Sequence, residues 1–288
     1  MNIVVASGKG GTGKTTIATS LAMLLNEHIS KPVKIVDSDV EAPNAHLVLK
    51  PQINQTRDAS IALPVFSADI CTGCKICVDV CRYHAIVMTG EIPYVMEQLC
   101  HGCGSCTLQC PVNAITEEAH AIGQLSMGST QAGLGFAKGE LTISEPMSAP
   151  VIRQLKQWQL DADSINILDA PPGASCPVVE TLRRADFALL VTEPTPFGLH
   201  DLKQIIQLVQ LMKIPHAVII NRSNLAKNII EPICKANRIP ILLRIPFDKI
   251  TAEQLSTGKA LIEIRPNLID ELRQVFQSIL KLTGQEIE

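Results

Sequence analysis

Aromatic side chains are scarce, at 3% of the chain with a single Trp, so the core is expected to be aliphatic. Long apolar runs are missing too: stretches such as Ala217 to Ile220 are far too short to cross a bilayer. The amino terminus passes straight into Ile3-Val4-Val5, with neither a basic segment nor a cleavage site, so a cytoplasmic protein without a signal peptide is expected. No basic stripe stands out, and the net charge is -3, which argues against a nucleic-acid surface. What the chain has in excess is cysteine, ten in all. In a secreted protein ten cysteines would suggest disulfides, but their spacing here argues for metal.

Eight of the ten fall in two runs of identical spacing, C-x2-C-x2-C-x3-C. Cys71, Cys74, Cys77 and Cys81 form the first; Cys100, Cys103, Cys106 and Cys110 form the second, followed by Pro111. The spacing resembles the ligand runs of bacterial ferredoxins, in which the fourth cysteine of each run ligates the other cluster. That resemblance implies one [4Fe–4S] centre on Cys71, Cys74, Cys77 and Cys110 and another on Cys81, Cys100, Cys103 and Cys106. Arg82 departs from the pattern, standing where proline is usual, without removing a ligand. A pair of zinc sites is the competing reading, but zinc needs four ligands and usually shows paired C-x2-C motifs. From Phe66 to Glu118 two basic residues face six acidic ones, a balance of -4, which suits docking on a basic protein patch.

Around this segment the pattern alternates between short apolar runs and helical periodicity. Asn2 to Val5 and Val33 to Val36 read as strands, with Lys14 to Asn26 a helix between them. Pro51 to Ser60 is polar and is expected to be irregular; glycines at 123, 128, 133, 135 and 139 suggest hairpins. Ala149 to Trp158, Val178 to Arg184, Leu199 to Met212, Ala226 to Asn237 and Leu268 to Leu282 read as helices. They alternate with strands at Ile165 to Leu168, Ala188 to Val191, Ala217 to Ile220 and Ile241 to Ile245. The alternation implies an α/β fold with a mostly parallel sheet flanked by helices, and the glycine loop from Gly8 to Thr15 makes a P-loop NTPase the expected class. Residues 64–118 are expected to form an inserted ferredoxin-like α+β module, with 1–63 and 119–288 making the ATPase domain.

The loop Gly8-Lys9-Gly10-Gly11-Thr12-Gly13-Lys14-Thr15-Thr16 follows a strand and opens a helix, where backbone N–H groups and the helix terminus can cradle phosphates. Lys14 is expected at the β- and γ-phosphates and the Thr15 hydroxyl on Mg²⁺. Lys9, in K-G-G-T-G-K-T-T, resembles the deviant Walker lysine of the MinD/ParA/Mrp superfamily, which also includes the nitrogenase iron protein. There that lysine reaches the partner subunit's nucleotide, so the resemblance implies an ATP-sandwiched dimer, either a homodimer or a heterodimer with a related ATPase subunit. Asp37-Ser38-Asp39 resembles the first switch, and Asp169-Ala170-Pro171-Pro172-Gly173 the second. Asn221-Arg222 resembles the adenine-reading strand end, and Pro246-Phe247-Asp248 the later base-contacting loop. Mg²⁺ ligation is assigned to Thr15, Asp37, Asp39 and Asp169, and the catalytic set is Lys9, Lys14, Asp39 and Asp169. Asp39 is favoured over Asp37 for orienting the attacking water, although Asp37 could serve there or simply bond the loop. Asn221 could also be an ordinary strand-end turn residue. His200 and Asp201 are read as helix-capping and left out of the site.

The combined pattern resembles MinD-superfamily ATPases carrying an inserted ferredoxin domain, a group related to the orange-protein-complex ATPases. The leading expectation is an ATP-switched dimer that uses two [4Fe–4S] clusters in electron transfer to, or redox-linked handling of, a partner metalloprotein. An Mrp-like iron–sulfur cluster carrier is the alternative, for which Cys176 is the candidate transferable site outside the runs; a packing role for Cys176 is the competing reading. A spatial organiser of the MinD/ParA type is disfavoured, because the last helix lacks a basic membrane-binding face. No nucleic acid and no stable membrane association are expected.

Overall fold

In β1 (Asn2–Ala6) the side chains alternate across the sheet. Ile3 and Val5 enter one apolar core; Val4 and Ala6 enter the other. A strand with no polar face must be covered on both sides, and helices supply the cover. Those at Lys14–His28 and Leu268–Thr283 pack one face; Ser148–Gln159, Cys176–Leu182 and Pro196–Leu211 pack the other. This computed structural model describes residues 1–227 and 229–286.

The further strands are β2 (Val33–Asp37), β3 (Gln52–Phe66), β4 (Ile86–Thr89), β5 (Ile92–Val95), β6 (Ile115–Ser129), β7 (Gly135–Leu141), β8 (Ile165–Asp169), β9 (Phe187–Thr192), β10 (His216–Asn221) and β11 (Ile241–Ile245). Among the described residues the main sheet runs β11-β10-β9-β1-β8-β2-β7-β6-β3. From β11 to β7 neighbouring strands are parallel; β6 and β3 are antiparallel additions at one edge. The parallel part places the carboxyl ends of β1, β2 and β8 together, where ligands bind in such sheets.

The sequence misjudged Pro51 to Ser60. Instead of an irregular stretch, Gln52 to Phe66 is one strand, paired with β6 from Gln52↔Ser129 to Phe66↔Ile115. Long-range pairing satisfies this backbone, so its polar side chains can face water at the sheet edge without an apolar alternation to announce them. Pro64 fits because an edge strand does not need every amide for its ladder. The two strands approach so closely that a Cβ on Gly128 would lie 1.9 Å from the Gln52 carbonyl oxygen. Both strands run without interruption past residues 63/64 and 118/119, so the cysteine segment sits at the end of a long ribbon. β4 and β5 form a separate two-stranded hairpin there.

One helix is much shorter than expected. Of Ala226 to Asn237 only Glu231–Ala236 is helical, beginning where Pro232 sets the first turn; Asn228 lies outside the described residues. The last helix spends its apolar stripe on the core, burying Leu268, Leu272, Val275, Phe276 and Ile279. None of the described helices is long and apolar enough to cross a membrane.

Candidate functional site

The glycine loop leaves β1 and enters the Lys14–His28 helix through Gly13, whose φ of 95° belongs to the left-handed region. A Cβ there would also meet the Asn221 amide nitrogen at 2.5 Å. Gly10 and Gly11 have nothing within 4 Å of a built Cβ, leaving their backbone open as a cradle. At the loop's start Gly8 is closed in: a Cβ would lie 2.3 Å from the Asp201 carbonyl oxygen. Asp201, set aside on the sequence, thus borders the loop with its backbone.

Adjacent parallel strands bring the acids together. Asp37 ends β2 and Asp169 ends β8, and they are register partners. Thr15 Oγ1 donates to Asp169 Oδ2 at 2.5 Å, while the buried Asp169 Oδ1 has no protein partner. Asp37 accepts from the backbone amides of Asn44 (2.9 Å), Ala45 (3.0 Å) and Asp39 (3.2 Å), so its carboxylate organises the loop after β2. Burial pushes Asp37 up to about 6 and, with the Asp37 charge, holds Asp169 well above the usual carboxylate range. Asp39 is half-buried and raised by desolvation, against the pull of Lys14. Burial lowers Lys14, while Asp169, Asp39 and Asp37 pull it back up. Three acids around one lysine leave surplus negative potential for a divalent cation. The unpartnered Asp169 oxygen beside Thr15, the unpartnered buried Thr12 Oγ1 and the open glycine backbone fit a nucleotide with Mg²⁺.

Asn221 differs from its simplest expected role. Its Nδ2 donates to the Thr12 carbonyl at 2.8 Å and its Oδ1 accepts from the Arg222 amide at 2.9 Å, tying β10 to the phosphate loop. Thr16 lies in the first turn of the Lys14–His28 helix, its carbonyl accepting from Thr19 at 3.2 Å. Pro246 follows β11, its carbonyl 3.4 Å from Arg265 Nη1. A residue that sequence reasoning missed sits between these parts. Glu193, nearly buried, pairs with Lys9 Nζ at 3.2 Å and with Arg222 Nη1 at 2.6 Å. The three are distant in the chain, and only the order of β9, β1 and β10 makes them neighbours.

At the ribbon's end the eight run cysteines are free thiols lining two cavities. Cys71, Cys74, Cys77 and Cys110 line one, with Phe66, Pro93 and Ile115. Cys81, Cys100, Cys103 and Cys106 line the other, beside Ala62, Pro64 and a stacked Tyr83–His101 pair 3.6 Å apart. Backbone amides point at sulfur in both: Ala114 to Cys110 at 3.2 Å and Ala85 to Cys81 at 3.3 Å. Burial raises the thiols of Cys77, Cys100 and Cys106, whereas Ser105 holds Cys103 down. Among the described residues no three His, Cys, Asp or Glu side chains converge on a single-ion site. Zinc would require sulfurs roughly 3.8 Å apart, from its ~2.3 Å bonds in a tetrahedron.

One helix touches both the β3 ribbon and the helix that follows Asp169. Gln154 of Ser148–Gln159 clasps β3, donating to the Ser60 carbonyl at 2.9 Å and accepting its amide at 3.1 Å. Two residues later Lys156 Nζ donates to the carbonyls of Glu180 (2.7 Å), Thr181 (2.8 Å) and Arg183 (2.6 Å). Those carbonyls end the Cys176–Leu182 helix, which follows the Asp169 segment and opens on the exposed Cys176. Cys234 lies in the core, its thiol pushed up to about 11 by burial.

Known proteins resemble this chain over most of its length. An uncharacterized protein of Methanocaldococcus jannaschii is 30% identical over 276 residues, covering 94% of this chain and 96% of its own; a second from that organism is 28% identical, covering 97% and 96%. The cytosolic Fe-S cluster assembly factor nubp2 of Xenopus tropicalis is 25% identical, covering 92% and 86%. The fold is shared with the Mg-ADP-complexed septum site-determining protein MinD of Pyrococcus horikoshii (TM-score 0.55, 20% identity, 98% and 93% covered). It is shared likewise with the Pyrococcus furiosus cell division ATPase MinD (TM-score 0.58, 17% identity, 96% and 98% covered). The CobQ/CobB/MinD/ParA nucleotide-binding domain matches residues 3–262, so the chain belongs to that family and is a P-loop ATPase.

Proposed function

We propose that this ATPase is a dimeric switch that carries two [4Fe–4S] clusters and serves electron transfer to, or redox-linked handling of, a partner metalloprotein. The observation that carries the reading is the pair of cysteine cavities, each gathering three cysteines of one run and the fourth of the other. The clusters supply one-electron chemistry; the thiolates hold them, and the amides of Ala85 and Ala114 tune the sulfurs. At the other end, the loop amides and Lys14 bind the phosphates, and Thr15 and Asp169 hold Mg²⁺, which neutralises phosphate charge. Asp39, two residues beyond β2, orients the attacking water, while Asp37 braces the loop that carries it. Lys9 reaches the nucleotide of a second ATPase subunit, identical or related. The two full-length M. jannaschii relatives are consistent with paired subunits.

Coupling between the ends is supported by the Ser148–Gln159 helix, which is hydrogen-bonded both to the ribbon and to the helix after Asp169. The direct test is anaerobic reconstitution followed by EPR of the reduced protein with ATP, with ADP and without nucleotide. Two reduced cluster signals that respond to ATP are expected. A colourless, zinc-only anaerobic protein would defeat the cluster assignment. The cluster-carrier alternative is favoured by the name of the nubp2 relative and by the exposure of Cys176. Transfer of cluster to an apo-acceptor that disappears in Cys176→Ala would select it over the relay.

A further inference from the structure

One carboxylate serving two cations is unusual in a site that must release one of them. Glu193 is nearly buried, with 7% of its side chain exposed, and bonds Lys9 at 3.2 Å and Arg222 at 2.6 Å. Lys9 lies between the closed-in Gly8 and the open backbone of Gly10 and Gly11. Arg222 follows Asn221, whose amide is tied to that loop through the Thr12 carbonyl at 2.8 Å. If Glu193 had Lys9 alone, the lysine's departure would strand a buried carboxylate, a heavy penalty. With Arg222 on the opposite oxygen, the carboxylate stays neutralised when Lys9 leaves.

We infer that Glu193 is a positioning residue that parks Lys9 within its own subunit, and that Arg222 is the counter-ion that lets Glu193 release it. The inference rests on the proposed ATP-closed dimer, in which Lys9 must turn away from its own chain. Glu193 and Arg222 then set the threshold for closure without either reaching the partner's phosphates. Because the two residues act on Lys9 in opposite senses, their variants should shift closure in opposite directions. A purely structural role would push both the same way.

The test is ATP-dependent self-association by analytical ultracentrifugation of the full chain, with thermal melts confirming that each variant is folded. Glu193→Gln unparks Lys9 and should tighten association about threefold to tenfold, the scale of a partly exposed ion pair. Arg222→Met leaves Lys9 as the only counter-ion of Glu193 and should weaken association by a similar factor. Adding Glu193→Gln to Arg222→Met should restore association to at least the wild-type level. That rescue separates release of Lys9 from any direct loss of nucleotide contact by Arg222. If wild type associates with ATP but both single variants weaken it, or the double variant shows no rescue, the parking role is wrong and the dimer stands. If no form associates with ATP, the dimer itself is wrong and the parking role falls with it.

Discussion

Lys156→Met sets a buried ammonium against the hydrogen bonds it makes. In the wild type Nζ donates to the carbonyls of Glu180, Thr181 and Arg183 at 2.6–2.8 Å. Hydrogen bonds from a charged donor contribute roughly 1.5 kcal/mol each, about 4–5 kcal/mol for the set. Against this stands burial, which together with the Arg183 and Arg184 charges, and against the pull of Glu180, lowers the lysine from 10.5 to about 8 and so costs about 3 kcal/mol. The hydrogen bonds win by about 1–2 kcal/mol, and a helix C-terminus favours the positive charge a little further. Met keeps most of the stem's volume, so the substitution isolates the head group. Urea denaturation should show the midpoint falling with an unchanged slope, equivalent to a loss of about 1–2 kcal/mol. Hydrogen exchange should quicken in Cys176–Leu182 more than in the Lys14–His28 helix, which Lys156 does not touch. An unchanged or raised midpoint would refute the reasoning, because it would mean that desolvation outweighs the three bonds.

Three further substitutions have expected outcomes. Asp169→Asn should cut Mg²⁺-dependent ATP turnover by roughly two orders of magnitude or more. The same variant should melt higher than wild type in EDTA without nucleotide, since it removes a buried carboxylate that burial holds well above its usual range; a lower melting temperature would contradict that electrostatic account. Lys34 holds Asp161 down from 3.8 to about 2, so the pair stabilises the fold above pH ~4 and loses that contribution as pH falls toward 2. Asp161 is largely exposed, so Lys34→Met should cost under about 1 kcal/mol at pH 7, and the gap should close in acid; a constant gap would exclude the linkage. Cys110→Ser should halve iron and sulfide content and spare the centre on Cys81, Cys100, Cys103 and Cys106. If Cys110→Ser instead removed the centre holding Cys100, Cys103 and Cys106, the crossed partition would be wrong.

The phosphate loop, the aspartate at the end of β8 and the two cysteine runs were legible in the sequence because each is local. Spacing along a few residues determines which amides point inward and which thiols share a turn. The alternation of apolar runs also announced a parallel sheet, since strands buried on both faces admit few polar residues. β3 was not legible: its outer half is polar, and only pairing with residues some sixty positions away makes it a strand. Glu193 was invisible as a site residue for the same kind of reason, being brought to Lys9 and Arg222 by the neighbouring of β9, β1 and β10. Lys156 lies in a stretch the sequence marked only as helical, and the crossing of two helices buries it against three carbonyls. What this sequence determined by itself was local: the phosphate cradle and the two cysteine runs. Tertiary structure decided which charges face one another and which helix packs on both the β3 ribbon and the Cys176–Leu182 helix, because those depend on contacts between segments far apart in the chain.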